Sequence, residues 1–150
     1  MSTTDDRKQE QNLLKAIQYL NGRGIEAGVF GGTNRQKNKK HPSRKRPKKG
    51  TPIALYGYVQ HEGTKSGSIK PRRWLSGAVD KNYDKWTKMF EAGFDNVLRG
   101  SQTMEGLLTF IANIEIVGAI QKSITTLGVI DTGALRMAIR ARVVKGIPKD

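Results

Sequence analysis

Apolar side chains recur at helical spacing along most of the chain and alternate at two short stretches. Helices are predicted for residues 4–22, 53–63, 74–97 and 103–127. The last stretch carries the strongest signal, because apolar residues recur there every three or four positions and Gly128 follows as a helix terminator. Gly57 is expected to interrupt the second helix, and the polar residues 80–82 are expected to break the third.

Strand-like alternation occurs near both ends of the sequence. Residues 25–30 alternate before a Gly-Gly pair, and residues 140–144 alternate again, so we expect the two stretches to pair. Asp131 is expected to cap a short helix holding Leu135 and Ile139. The prediction is a single α+β domain over residues 1–150: a small antiparallel sheet packed with one long central helix and several shorter helices.

Positive charge is concentrated in one segment of the chain. Lys and Arg number 27 against 13 Asp and Glu, a formal net charge of +14. No acidic residue lies between Glu26 and Glu62, and residues 31–51 lack large apolar side chains, which predicts a long flexible basic loop. The cations expected to contact DNA or an acidic partner are Arg35, Lys37, Lys39, Lys40, Arg44, Lys45, Arg46, Lys48 and Lys49.

Composition excludes several kinds of site. The chain has no cysteine and two histidines, so disulfides, thiolate metal sites and Cys nucleophiles are excluded, and we expect no metal and no cofactor. No uninterrupted apolar run approaches the roughly 20 residues that cross a bilayer, so no membrane partner is expected. The N-terminus is polar and contains acidic residues, which a signal peptide does not. These features predict a soluble intracellular protein with a polyanionic or acidic partner.

Two short motifs match part of a catalytic signature but lack the other residues that the signature requires. Asp131, Thr132 and Gly133 match the local sequence of an aspartic protease, but only 17 residues follow, too few for the remaining strands of such an enzyme. His61 and Glu62 are not followed by a second histidine at helical spacing, so they form no zincin motif. No nucleophile, base and oxyanion donor assemble, and we predict that the chain is not an enzyme.

The order of the short motifs is more specific than any one of them. The motif-bearing segments are residues 25–30, 53–64, 69–75, 118–124 and 130–143. In this order they resemble the tail-completion and minor-tail family of tailed bacteriophages, the virion-morphogenesis proteins of the head–tail neck. Lys70 and Arg73 stand where that family prefers proline, Trp74 replaces a phenylalanine, and Ala138 replaces a serine.

The resemblance implies a ring-forming structural protein that joins tail and connector around the DNA channel. Implied partners are further copies in a hexameric or twelve-fold ring, a tail terminator or tube protein, connector or head-completion proteins, and packaged double-stranded DNA. The implied location is the virion neck, with host cytoplasm during assembly. By the same resemblance, the structural motif comprises His61, Glu62, Gly63, Asp131, Thr132 and Gly133. The residues themselves predict an assembly interface of Arg72, Arg73, Trp74 and Leu75, because an aromatic side chain beside two cations is typical of an interface anchor with a charged rim. Simple core packing of Trp74 is the alternative.

One alternative of a different class fits the size and charge equally well. A small basic nucleic-acid-binding protein of ribosomal or chromatin type would show the same pI of about 10.3. The high apolar and aromatic content of residues 74–127 exceeds what such a monomer needs and favours subunit contacts.

Overall fold

The computed structural model describes residues 3–30, 53–129 and 133–145. The elements are α1 (Thr3–Leu20), β1 (Arg23–Gly28), α2 (Ile53–Glu62), α3 (Ser76–Arg99), α4 (Met104–Phe110), a π-helical segment (Ile111–Ile116), α5 (Val117–Thr126), α6 (Ala134–Ala138) and β2 (Arg140–Lys145). Strands β1 and β2 form a two-stranded antiparallel sheet. The predicted α+β class, with a small sheet, one long helix and several shorter helices, is confirmed.

Two expected helix interruptions are absent. Helix α3 runs unbroken through residues 80–82, where Asp80 and Lys81 are exposed to solvent. A polar turn of this kind is the solvent face of an amphipathic helix, and it contains neither Gly nor Pro to break the hydrogen bonding. Helix α2 likewise continues through Gly57, which is buried within it.

The predicted long helix over residues 103–127 is present but not uniformly α-helical. Thr103 caps its start, its Oγ1 accepting a hydrogen bond from the Gly106 amide at 3.0 Å. The hydrogen bonding shifts to the wider π pattern between Ile111 and Ile116 before α5 resumes. Gly128 follows the helix with φ of 67°, a left-handed conformation that glycine adopts without strain.

The helical span Met104–Thr126 is long and apolar enough to cross a membrane by length and composition alone. Its 23 residues include a window of mean hydropathy 1.4, of which 39% is buried inside the protein. Core helices of soluble proteins satisfy the same criteria, and Glu115 and Lys122 interrupt the apolar sequence here. The expectation that the chain has no membrane partner stays a prediction.

The start of α6 differs from the prediction. Its N-cap is Gly133, with φ of 72°, two positions after the residue predicted for that role. Asp131 and Thr132 lie outside the described residues. Ile139 is the C-cap with extended backbone, not an internal helix residue, because the chain turns there into β2.

Contacts among the described residues divide the chain into two compact units. The first unit comprises residues 3–27, 82–116 and 141–145, and the second comprises residues 28–30, 53–81, 117–129 and 133–140. The single domain over residues 1–150 stays a prediction.

The first unit is built around a cluster of small and aliphatic side chains from α1, α3, α4 and the π-helical segment. Its buried members are Ala16, Val97, Met104, Leu107, Leu108 and Ile111. Helix α3 contributes Gly93 at a point where any Cβ would overlap the side chain of Leu107. The Asn12 side-chain amide donates to the Leu98 carbonyl at 3.0 Å and fastens α1 to the end of α3.

The second unit is organised around the short helix α6, which packs against both α2 and α5. Leu135 of α6 is 2% exposed, and Ile120 and Ile124 of α5 are fully buried. A Cβ at Gly57 would lie 2.9 Å from Leu135 Cδ1 and 3.0 Å from Trp74 Cζ2. The glycine that was expected to interrupt α2 is therefore what allows Leu135 and Trp74 to approach that helix.

Candidate functional site

Residues of three motif segments belong to the second unit and are connected there by hydrogen bonds and close packing. They come from the end of α2, from the turn over residues 63–75, and from α6. We describe this motif cluster from its glycine turn outward.

Gly63 is required by both its conformation and its surroundings. Its φ is +75°, and its amide donates to the Val59 carbonyl at 2.8 Å to close the end of α2. A Cβ at this position would lie 2.7 Å from the Ile69 oxygen and 2.9 Å from the Pro71 nitrogen. Both neighbours are backbone atoms, so no side-chain rotation relieves the overlap, and only glycine fits.

The residues after Gly63 form an ordered polar turn. The Thr64 amide donates to the Ile69 carbonyl at 3.0 Å, and the Ile69 amide donates to Thr64 Oγ1 at 3.1 Å. The hydroxyl oxygens of Thr64, Ser66 and Ser68 lie 3.0 to 3.3 Å from one another. Sequence reasoning missed this hydroxyl cluster, because the spacing of three hydroxyl residues between Gly63 and Lys70 does not show that their side chains meet.

Trp74 is a core residue and not a surface anchor. Its side chain is 4% exposed, and its indole Nε1 donates to the Gly57 carbonyl at 2.9 Å. The ring also meets the His61 imidazole edge-on, with centroids 5.9 Å apart. The prediction that Trp74 forms part of an assembly interface is therefore corrected, because a buried indole satisfied within its own chain stabilises the turn from inside.

His61 has a structural role at the start of α3. Its Nε2 accepts from the Ser76 amide at 3.3 Å and lies 3.0 Å from Ser76 Oγ. An imidazole that accepts through Nε2 carries its proton on Nδ1 when neutral, and Nδ1 lies 2.8 Å from Glu62 Oε1. His61 thereby joins the end of α2 to the beginning of α3.

Arg72 connects the turn to the end of the long helix. Its amide donates to the Gln60 carbonyl at 2.9 Å, and its Nη1 donates to the Gly128 carbonyl at 3.2 Å. Arg72 and Arg73 are exposed while Leu75 is half-buried. Of the four residues predicted for an assembly interface, the two arginines are therefore fully on the surface, and a partner for them stays a prediction.

The described residues of the motif cluster provide an ordered backbone and positive charge. Among the described residues, no three His, Asp or Glu side chains are grouped so that they could hold a metal ion. The nine cations predicted to contact DNA or an acidic partner, Arg35 to Lys49, lie outside the described residues. The absence of enzymatic activity, metal and cofactor stays a prediction.

Comparison with known proteins adds no relative. No protein-family model matches the chain, and neither a curated protein nor a solved structure is significantly similar to it. The resemblance to the phage tail-completion family therefore depends on the motifs themselves.

Proposed function

We propose that this chain is a structural subunit of the head–tail neck of a tailed bacteriophage, a ring-forming tail-completion or head–tail joining protein. The observation that carries the proposal is the contact between motif segments that are distant in sequence. Gly57, Trp74 and Leu135 come from three different segments and meet at one point.

Such contacts are what a genuine multi-part signature requires. A signature of short, separated motifs has physical meaning when the motifs build one local structure. Gly63 permits the turn, Trp74 fills its interior, and Leu135 closes the same core from α6. The packing of these three segments on one another agrees with what the resemblance implies, and it supports the proposal in that sense.

The surface of the second unit is suited to association with further copies. Leu55 and Tyr58 on α2 are 52% and 65% exposed, and Met137 on α6 is 73% exposed. Exposed large apolar groups of this kind are available for burial against a further copy. A closed ring needs two different faces on each subunit, one for each neighbour.

The proposed setting explains the basic loop. In a neck ring, the cations from Arg35 to Lys49 face packaged DNA in the channel or an acidic surface of an adjacent protein. The other proposed neighbours are a tail terminator or tube protein on one side and connector or head-completion proteins on the other. The protein acts in the virion and is present in host cytoplasm during assembly.

The first experiment asks whether the chain is a component of virions. Purified particles of the phage that encodes it are analysed by mass spectrometry, and gold-labelled antibody is located by electron microscopy. We expect the protein in the particles and the label at the head–tail junction. Its absence from intact particles would refute the proposal.

The second experiment separates a ring subunit from a basic nucleic-acid-binding monomer of ribosomal or chromatin type. Light scattering of the purified protein, with nuclease treatment, gives its mass in solution. Rings or ring intermediates support the neck proposal, and a monomer that associates only on nucleic acid supports the alternative. Replacing Tyr58 and Met137 by Asp is expected to reduce ring formation, while Tyr83→Asp, at a similarly exposed position of the first unit, serves as the control.

A further inference from the structure

The two units carry very different charge. Among the described residues of the first unit, nine Asp and Glu balance nine Lys and Arg. The described part of the second unit has eight Lys and Arg against two acidic residues, a net charge of +6. The net positive charge of the described residues therefore lies in the second unit. The nine cations from Arg35 to Lys49 add to it.

Within the second unit, the polar turn after Gly63 concentrates this charge. Lys65, Lys70, Arg72 and Arg73 lie within nine consecutive residues and are all exposed. No acidic residue occurs between Glu62 and Asp80. Hydrogen bonds between Thr64 and Ile69 and between Arg72 and Gly128 fix the backbone of the turn. Its cations are therefore carried on an ordered backbone.

The turn also presents hydrogen-bond donors without charge. The hydroxyls of Thr64, Ser66 and Ser68 each carry one rotatable proton and are grouped within 3.0 to 3.3 Å. Hydroxyl groups, cationic side chains and backbone amides are the groups that proteins use to contact phosphate oxygens. An oxyanion placed over this cluster would be approached by several donors at once.

We propose that the turn over residues 64–73 is a contact site for the phosphodiester backbone of double-stranded DNA. Lys65, Lys70 and Arg73 supply the charge, and the hydroxyl cluster supplies hydrogen bonds. Arg72 holds the turn in place through Gly128.

The composition of the turn favours this occupant over the others. Protein interfaces are centred on buried aromatic or large apolar anchors, and the turn offers only the half-buried Ile69. Protein–DNA interfaces are more polar and far more positive. Single-stranded nucleic acid is bound through base stacking on aromatic side chains, and residues 64–73 include none.

This inference does not require the neck proposal. A turn that binds duplex DNA would serve a virion subunit or a chromatin-type protein alike. The binding experiment below uses purified protein and free DNA, so its failure is distinct from the absence of the protein from virions.

The test is DNA affinity as a function of salt, measured by fluorescence anisotropy with a short labelled DNA duplex. The starting protein is the full chain with Lys39, Lys40, Arg44, Lys45 and Arg46 replaced by Ser, which lowers the contribution of the basic loop.

The turn variant adds Lys65→Ser, Lys70→Ser and Arg73→Ser to that starting protein. The matched control instead adds Lys8→Ser, Lys15→Ser and Lys88→Ser, three exposed positions of the charge-balanced first unit. Both variants lose the same charge, and circular dichroism with a thermal melt verifies that both are folded.

The magnitude of the slope of log K against log salt should be smaller in the turn variant. Each lost phosphate contact lowers it by about 0.9, so the loss of all three cations lowers it by up to about 2.7. Between 50 and 200 mM salt, the starting protein would then lose about 40-fold more affinity than the turn variant. The control variant is expected to keep the starting slope. Equal slopes in the turn variant and the control would overturn the proposal.

Two further measurements test the ligand and the hydroxyls. In a competition assay, polyglutamate is compared with unlabelled DNA of equal charge. If polyglutamate displaces the labelled duplex as effectively as DNA does, the turn is assigned to an acidic protein and DNA is rejected. Ser66→Ala with Ser68→Ala is expected to weaken binding several-fold with an unchanged slope, because hydroxyl groups release no counterions. Unchanged affinity in that variant would remove the hydroxyl cluster from the site.

Discussion

Replacing Gly63 by Ala should destabilise the second unit more than any other glycine-to-alanine change in the same turn. At φ of +75°, an alanine pays about 1–2 kcal/mol for the left-handed conformation, partly offset by the 0.4–1 kcal/mol it gains from a stiffer unfolded chain. Its Cβ would also stand 2.7 Å from the Ile69 oxygen and 2.9 Å from the Pro71 nitrogen. Overpacking of this kind adds about 1–3 kcal/mol, so the total loss is about 1–5 kcal/mol, with a central value of about 3 kcal/mol.

Gly67 provides a matched control four residues away. Its φ is +74°, almost the same as that of Gly63, but nothing lies within 4 Å of the Cβ that alanine would add. Gly67→Ala therefore costs only the backbone contribution, about 1 kcal/mol. The difference between the two variants isolates the close approach of the backbone at Gly63.

Tryptophan fluorescence can follow this unit selectively. The chain has two tryptophans, and a Trp86→Phe background leaves the buried Trp74 as the sole reporter, within the second unit. Urea titrations of both variants give the midpoint and the slope m, and an unchanged m assigns the midpoint shift to stability. Equal midpoints for Gly63→Ala and Gly67→Ala would show that the turn does not hold Gly63 against Ile69 and Pro71.

Three other predictions address contacts within the individual units. Trp74→Ala should cost about 3–5 kcal/mol by urea unfolding, whereas Trp74→Phe, which loses mainly the indole hydrogen bond to Gly57, should cost about 1–2 kcal/mol; similar losses would contradict the assigned bond. Gly57→Ala should cost about 1–3 kcal/mol, and less in a Leu135→Ala chain, where one of the two side chains that its Cβ would meet is gone and only Trp74 remains; strict additivity in this cycle would exclude the close contact with Leu135. The exposed Glu26–Arg142 pair at 2.9 Å should show a coupling of about 0.2–1 kcal/mol that falls with salt, and a salt-independent coupling would refute its electrostatic origin.

The sequence indicates the secondary structure well wherever one periodicity dominates. The apolar stripe around Ile120 and Ile124, the alternation near Arg140 and the terminating Gly128 each correspond to an observed element. Errors occur where tertiary contact reverses a local preference. Gly57 is unfavourable in an isolated helix, yet α2 continues through it because that surface must admit Trp74 and Leu135.

The candidate site is predictable in its membership but not in the roles of its residues. Motif order selected His61, Gly63 and Trp74, and the structure gives each a defined contact. An aromatic beside two cations is compatible with an interface anchor or with core packing. Core packing is observed because the Trp74 indole donates a hydrogen bond to the Gly57 carbonyl. That carbonyl is 17 positions away in the sequence, and no local pattern identifies it. The hydroxyl cluster was missed because its geometry depends on a turn that closes only through Ile69.

The sheet has a consequence for the order in which the protein folds during translation. Its two strands lie near opposite ends of the sequence, and the Glu26–Arg142 bond joins residues 116 positions apart. Closing a loop of that length unaided costs about 4 kcal/mol of chain entropy, which helices formed earlier in the interval reduce. Strand β1 is therefore synthesised long before β2, and it stays unpaired until β2 has left the ribosome. Slow translation of the interval between the two strands should prolong the exposure of this unpaired strand edge to chaperones and to other nascent chains.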